Sequence, residues 1–366
     1  MIKDDGLHIN LNVMLSYNKP FNFCISEREA GKSVGWVKLV YNAYKKWNRP
    51  SLVIRRQQVD ITDVYIQSII DTINDFCDDS VCFECKSGKN QGALIARLKD
   101  KESGEVDPNP FIMIIALSNP LARIKSLVLR GVKYLIFDEF IVNTRDKEKY
   151  LPNEAFKFKE LWNTFYRHAS QYGYDAKALF FGNPYSKFNP YFSWLKVDLQ
   201  KVQSGTIINQ DNYVVWCYKI KPELKEAILK RNPLYEFDDS YKKYAFDGMA
   251  INDANIRIIE KQPNGMTLQY GFRYGDHLYG VYTVNGGQLA RDYYYWIGEL
   301  KDEGTRRSTY CFDFAGLADG TTLISVTDKK LFRSLRYAIG NRSVTYESLE
   351  ADYAIEDIFT ALGGRD

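Results

Sequence analysis

Eight consecutive residues, Ser26–Glu27–Arg28–Glu29–Ala30–Gly31–Lys32–Ser33, end as a Walker A phosphate loop ends, in Gly-Lys-Ser. The full pattern asks for Gly at its first position, where this chain has Ser26. A phosphate loop needs a strand before it, a tight run of backbone N–H groups, and a helix whose N-terminus faces the phosphates. Lys32 would then bridge the β- and γ-phosphates, and Ser33 would hold Mg²⁺ through its hydroxyl. A second pattern lies about a hundred residues on. Tyr134–Leu135–Ile136–Phe137 is a short apolar run that stops at Asp138–Glu139. At the end of a buried strand Asp138 can hold the metal through water, and Glu139 can polarise an attacking water. The two patterns together point to nucleoside triphosphate hydrolysis. No Asn-Lys-x-Asp guanine-reading motif is present, which favours ATP.

Two further residues are candidates. Asn183, in Leu179–Phe180–Phe181–Gly182–Asn183–Pro184, could sense the γ-phosphate, or could belong to an ordinary Asn-Pro turn. Arg167 follows the apolar face of a helical stretch. It could reach a neighbouring subunit's nucleotide as a finger, or sit in a surface salt bridge. Cys82 and Cys85 have CxxC spacing with Cys77 nearby, but no second Cys/His pair follows, so a metal site there is disfavoured.

The elements that must position these groups follow from the hydrophobic pattern. Residues 21–25 read as a strand feeding the phosphate loop, and Val37, Val40, Tyr44 and Trp47 share one face of the helix after it. Strands are expected at 52–54, 81–85, 93–98, 111–117, 134–137, 178–181 and 213–218. A hairpin turn is expected at 86–90. Helices are expected at about 62–76, capped by Thr62 or Asp60, and at 153–169. Buried strands alternating with helices predict an α/β fold with a largely parallel sheet over residues 1–221. Residues 222–255 read as a helical, charged linker. Residues 256–366 read as a smaller α+β domain, with strands near 256–259, 266–272, 277–284, 292–297 and 323–326 and helices at 329–339 and 348–362.

The chain has 366 residues, enough for two domains, with 45% apolar and 26% charged residues, which excludes wholesale disorder. Lys plus Arg is 49 against 46 Asp plus Glu, so no histone-like coating of nucleic acid is expected. The longest apolar run, Phe111–Leu117, is far short of the roughly 20 residues that span a bilayer, and no secretory leader is visible. The reading is a soluble intracellular protein without a membrane partner.

Several segments, in order, carry a specific resemblance. They are Phe21 to Ser33, Val53–Ile54–Arg55–Arg56, Ile136 to Ile141, Tyr150 to Glu154, Thr164–Phe165–Tyr166–Arg167, Gly182–Asn183–Pro184 and Asn189 to Phe192. The chain resembles the small DNA-packaging (encapsidation) ATPases of short-tailed phages with protein-primed genomes, which are related to large terminase subunits. The resemblance implies a P-loop ATPase of the additional-strand type (ASCE, RecA- and terminase-like), followed by a vestigial RNase H-like nuclease domain. It implies ATP and Mg²⁺ as cofactors, and double-stranded DNA and the portal (connector) protein as partners. It also implies a homo-oligomeric ring, usually a pentamer, which acts in the host cytoplasm and transiently at the procapsid portal vertex. A packaging RNA takes part in related systems.

Residue by residue, Lys32 and Ser33 match the Walker A pair and Arg28 an arginine of the phosphate loop. Asp138 matches the metal-associated acid, Glu139 the base, Arg167 the trans-acting finger and Asn183 the coupling residue. Arg55 and Arg56 match a basic pair beside the nucleotide. Ser26 and Glu29 stand where the family has loop glycines, so the loop has less freedom in φ. In the C-terminal region the resemblance rests on a hairpin around Gly271, Phe272, Tyr279 and Gly280. The carboxylates Asp276, Asp292, Asp313 and Asp328 form no clear two-metal constellation, so no cleavage is expected. Lys99, Lys101, Arg123, Lys125 and Arg130 are candidate DNA contacts. The rival readings are a ring helicase or other P-loop translocase, and a non-catalytic scaffold switched by nucleotide.

Overall fold

The computed structural model describes residues 8–77, 79–84, 94–120, 122, 131–143, 150–187, 189–231, 259, 261–274, 277–284, 295–300, 308–311, 321–324, 332–340 and 343–361. The chain divides into two units, Met1–Lys187 with Lys196–Asn252, and Phe188–Leu195 with Asp253–Asp366.

In the first unit α1 (Leu11–Leu15) leads into β1 (Phe21–Ser26), α2 (Lys32–Trp47), β2 (Ser51–Arg55) and α3 (Asp63–Phe76). Then come β3 (Ser80–Glu84), β4 (Leu94–Lys99), β5 (Ile112–Ala116), β6 (Tyr134–Asp138), α4 (Glu154–Gln171) and β7 (Lys177–Gly182). After α5 (Pro190–Leu195), which groups with the second unit, the first closes with β8 (Ile207–Asn209), β9 (Tyr213–Tyr218) and α6 (Pro222–Arg231). The sheet order is β3-β4-β5-β2-β6-β7-β1-β9-β8. The six strands from β5 through β9 in that order are parallel. β3 and β4 form an antiparallel hairpin at one edge, and β8 runs antiparallel at the other.

A central parallel strand is covered on both faces, so it must be apolar throughout rather than alternating. β1, β2 and β6 are buried at every position. Trp36, Val37 and Val40 of α2 and Ile69 and Ile73 of α3 cover one face of the sheet. On the other, Phe158 of α4 packs on Phe137 and Phe180. Thr62 caps α3 by accepting from Tyr65 N at 3.1 Å, as its side-chain type predicts. Trp47 departs from its expected core position and is 43% exposed at the end of α2.

Residues 222–231, expected as the helical, charged start of a connecting segment, form α6, whose Leu224 and Ile228 pack with Ile220 against Ala30 of the phosphate loop. The helical pattern there is amphipathic because one face is buried. Residues 232–255 lie outside the described residues, as does the expected turn at 86–90.

The second unit has a six-stranded sheet formed by β10 (Met266–Tyr274), β11 (His277–Val284), β12 (Tyr295–Glu299), β13 (Thr309–Cys311), β14 (Thr321–Leu323) and β15 (Val344–Tyr346). Its order is β14-β13-β10-β11-β12-β15, with β10, β11 and β12 mutually antiparallel in sequence and the remaining pairs parallel. α7 (Arg333–Gly340) and α8 (Leu349–Ala361) supply Leu335, Ile355 and Ile358 to a core with Phe272, Val281 and Ile297. The expected strand at 256–259 falls almost wholly outside the described residues.

Candidate active site

β1 lies between β7 and β9, so its carboxyl end opens among the carboxyl ends of parallel strands, where ligands of α/β sheets bind. Two residues of the loop after it take left-handed backbone, Gly31 at φ +91° and Glu29 at φ +61°. Gly31 is required twice over, because a Cβ there would also meet His8 at 3.0 Å. Glu29 has no such licence, and a non-glycine residue in this region costs about 1–2 kcal/mol. Its carboxylate accepts from Arg231 of α6 at 2.7 Å, which helps hold the conformation. Gly31 caps α2 without a side-chain hydrogen bond, so the first N–H groups of that sixteen-residue helix remain open to an anion.

Lys32 reaches back over the loop. Its ammonium donates to Ser26 O at 2.8 Å, Ser26 Oγ at 3.0 Å, Glu27 O at 2.9 Å and Asn183 Oδ1 at 3.0 Å. Burial pulls its pKa down to about 8, since nothing nearby fully replaces water around the charge. Asn183 continues the chain by donating to Tyr185 Oη at 3.1 Å, which also accepts from Arg28 at 2.8 Å. Four segments are thereby joined around one cavity of about 880 Å³, lined among others by Arg28, Lys32, Ser33, Asp138, Glu139 and Asn183.

The acidic pair terminates β6. Asp138 is 8% exposed, and burial pushes its carboxyl up to about 6, with Arg55 at 3.6 Å opposing the shift and Glu139 adding to it. Glu139 sits at φ +60°, and its side chain is 59% exposed. Arg55 Nη2 holds its Oε2 at 2.6 Å. The Tyr65 ring lies 4.5 Å beneath the Arg55 guanidinium. Arg56 is pinned elsewhere. It pairs with the buried Glu154 at 2.9 and 3.2 Å and donates to the carbonyls of Glu139 and Phe140 at 3.0 and 2.6 Å.

These contacts place the other sequence candidates. Arg55 and Arg56, expected beside the nucleotide, do not line the cavity. One restrains the acidic pair, and the other fastens the backbone that follows β6. The Glu27 side chain points away from the cavity, towards Ser204 Oγ at 3.5 Å and Ile220 N at 3.4 Å. Ser26 is buried, with its hydroxyl directed to Glu27 O at 3.2 Å. Arg167 is exposed on α4, has no partner among the described residues, and does not line the cavity. Tyr185, His8 and Asn10 join the cavity lining without having stood out in the sequence. An aromatic directly after Asn183–Pro184 was the one available signal. Lys101 donates to the carbonyls of Asn74 and Cys77 at the end of α3, so its ammonium is engaged locally. Arg123, Lys125, Arg130 and the four C-terminal aspartates lie outside the described residues.

The oxygen donors present suit Mg²⁺. The Ser33 hydroxyl has no hydrogen-bond partner among the described residues, and Asp138 is a buried carboxylate in need of a cation. No group of three His, Cys, Asp or Glu among the described residues could hold a metal by itself. Mg²⁺ commonly takes one or two protein oxygens and completes its shell with phosphate and water.

Residues 3–351 match the family described as Podovirus DNA encapsidation protein (Gp16). The chain belongs to that family. It is an ATP-driven DNA-packaging motor protein. The DNA packaging protein of Bacillus phage B103 is 27% identical over 339 residues, covering 92% of this chain and 95% of that protein. That of Bacillus phage phi29 is 25% identical over 298 residues, covering 79% and 80%. Among solved structures, the Phi-28 gp11 DNA packaging motor superimposes with a TM-score of 0.63 at 16% identity, covering 98% of both chains, which shows a shared fold. No helix among the described residues is long and apolar enough to cross a membrane.

Proposed function

We propose that the cavity binds ATP with Mg²⁺, and that its hydrolysis drives double-stranded DNA through a portal into a preformed procapsid. The observation that carries this reading is the convergence of Lys32, Ser33, Asp138, Glu139 and Asn183 on one cavity at the carboxyl ends of β1, β6 and β7.

The carbonyl and amide oxygens that now receive the Lys32 ammonium occupy the hydrogen-bonding role that phosphate oxygens would take. Phosphate would replace them and raise the Lys32 pKa back towards its ordinary value. Asn183, bonded to Lys32 in this state, would then report whether a γ-phosphate is present. Ser33 and Asp138 would hold Mg²⁺, which supplies charge neutralisation to the phosphates. Glu139 would take the proton of the attacking water, and Arg55 must first release it. Arg167, exposed and off the cavity of its own chain, would serve the site of a neighbouring subunit in a ring, which we take to be a pentamer.

The second sheet supports an RNase H-like domain. Read from β12, its order β12-β11-β10-β13-β14 places three antiparallel strands beside two parallel ones. We take it to be non-cleaving, and a plasmid incubated with the protein and Mn²⁺ should stay intact. The portal, the host cytoplasm and a packaging RNA belong to this reading as partners and setting.

The test is steady-state ATP turnover with and without long duplex DNA, beside Glu139→Gln. Turnover stimulated by DNA and reduced about a hundredfold or more in the variant, with ATP still bound, is expected. Tight ATP binding without turnover, even with portal added, would leave a nucleotide-switched scaffold.

A further inference from the structure

The opposite end of the parallel strands carries further charge, of which Arg49, Lys133 and Lys177 lie off the nucleotide cavity while Lys46 and Trp47 reach its lining. β2 begins at Ser51, β6 at Tyr134 and β7 at Lys177, and the three are adjacent. Lys133 N donates to Pro50 O at 2.7 Å, and Tyr134 stands opposite Lys177 in the register. The residues just before and at these strand starts therefore gather Arg49, Lys133 and Lys177 on one edge. Lys46, from the last turn of α2, extends the row.

Aromatic rings set the cations in place. Trp47 lies between two ammonium groups, Lys46 at 4.8 Å and Lys133 at 4.7 Å from its ring centre. The Arg49 guanidinium sits 4.2 Å over Tyr174. Lys177 donates to Asn18 Oδ1. A cation held over a ring face keeps its outer N–H donors free for an anion. Among the described residues none of the four makes a salt bridge, whereas the neighbouring Lys45 is committed to Asp79 at 2.8 Å. The exposed Asp175 acts on Lys133 and on Lys177, and for Lys133 it is set against Arg49, Lys177 and Lys46. Burial and these like charges hold the Lys133 ammonium below its ordinary pKa, and burial does the same to Lys177. Like charges that outnumber the nearby acid, three of them half-buried, are relieved by a polyanion.

We propose that this edge, formed by Lys46, Arg49, Lys133 and Lys177 beside Trp47 and Tyr174, is a seat for the phosphate backbone of duplex DNA. Strands lie about 4.8 Å apart, so three of them span about 10 Å. At a rise of about 3.4 Å per nucleotide along the axis, that length faces roughly three base-pair steps of a duplex. Backbone contacts carry no sequence information, as packaging of any genome sequence demands. The inference rests on the chain's handling of DNA and is independent of the residue roles given to the ATP site.

The test uses the full chain and a fluorescein-labelled duplex of about 30 base pairs, with anisotropy read between about 50 and 200 mM salt. The variant combines Arg49→Gln, Lys133→Gln and Lys177→Gln, none of which lines the nucleotide cavity. Its duplex affinity should fall at least about tenfold at low salt, and the slope of log K against log salt should shrink by about two to three. Binding of a fluorescent ATP analogue should be unchanged, which reports that the unit is folded. Asp175→Asn should move duplex affinity the other way, by a few-fold, without removing any cation. An unaltered slope in the triple variant, or no duplex binding by the parent protein, overturns the proposal. So does a loss confined to duplex RNA, or a change in sedimentation without a change in DNA affinity, which would assign the edge to RNA or to a second copy of the chain.

Discussion

Glu139 and Glu29 are both non-glycine residues with left-handed backbone, and both face the nucleotide cavity. Each conformation is maintained by arginine contacts, from Arg55 and Arg56 in one case and Arg231 in the other. The buried acid beside Glu139 has a measurable signature. Asp138 is raised from 3.8 to about 6 by burial, so its contribution to stability is fully present below pH 3.8 and is lost as pH rises through 6. At pH 7.5 it is a cost to the ligand-free protein. Asp138→Asn should therefore raise the unfolding free energy from urea titration at pH 7.5 by about 1–3 kcal/mol, and do little at low pH. An equal effect at both pH values would show that burial does not raise the pKa of this group. Lys32, Ser33 and Asp138 were legible in the sequence because each is fixed by strand-and-turn chemistry within a few residues. Arg56 was not. Its partner Glu154 is 98 residues away, and an arginine pair after a strand looks the same whether it faces ligand or core.

Elements carry these residues, and their ends must fit closely. Gly182 closes β7 where the backbone after β6 crosses it, and Phe140 N donates to Phe181 O at 3.1 Å. A Cβ on Gly182 would meet Phe140 Cε1 at 2.9 Å and Ile141 Cγ1 at 3.1 Å. Gly182→Ala should thus cost about 1–3 kcal/mol, and because it displaces the residues next to Glu139 it should lower kcat more than ATP affinity. A chevron analysis and a turnover assay would check the two halves. The long, regular elements were readable from periodicity. β8, β13 and β15 were not, because three residues each are too few to show a period. α6 was legible as a helix, but its packing was not. Its apolar face is narrow, two buried residues in ten, and only the packing with Ala30 reveals that it belongs to the ATPase unit.

At the scale of the whole molecule, the proposed separation of Arg167 from its own cavity makes a prediction about mixtures. Neither Arg167→Ala nor Glu139→Gln should turn over ATP in an assembled ring. Mixed in equal parts, about a quarter of the interfaces would join an intact base to an intact finger, and turnover should return to about that fraction of the parent rate. A mixture as inactive as its components would place both groups at one chain's own site. The order of the first sheet has a further consequence, for how the chain is made. β1 is among the earliest strands to be synthesised, yet Phe21 lies between Ala178 and Tyr213. Its second neighbour emerges about 190 residues later, some 10–40 s at ordinary rates of translation. Until β7 emerges, a strand that is buried at every position has no partner to join, while β2 and β5 can already pair with each other. The phosphate loop must therefore be among the last parts of the ATPase unit to take shape on the ribosome. A nascent chain stalled before β9 should bind no ATP and should depend on chaperones to stay in solution.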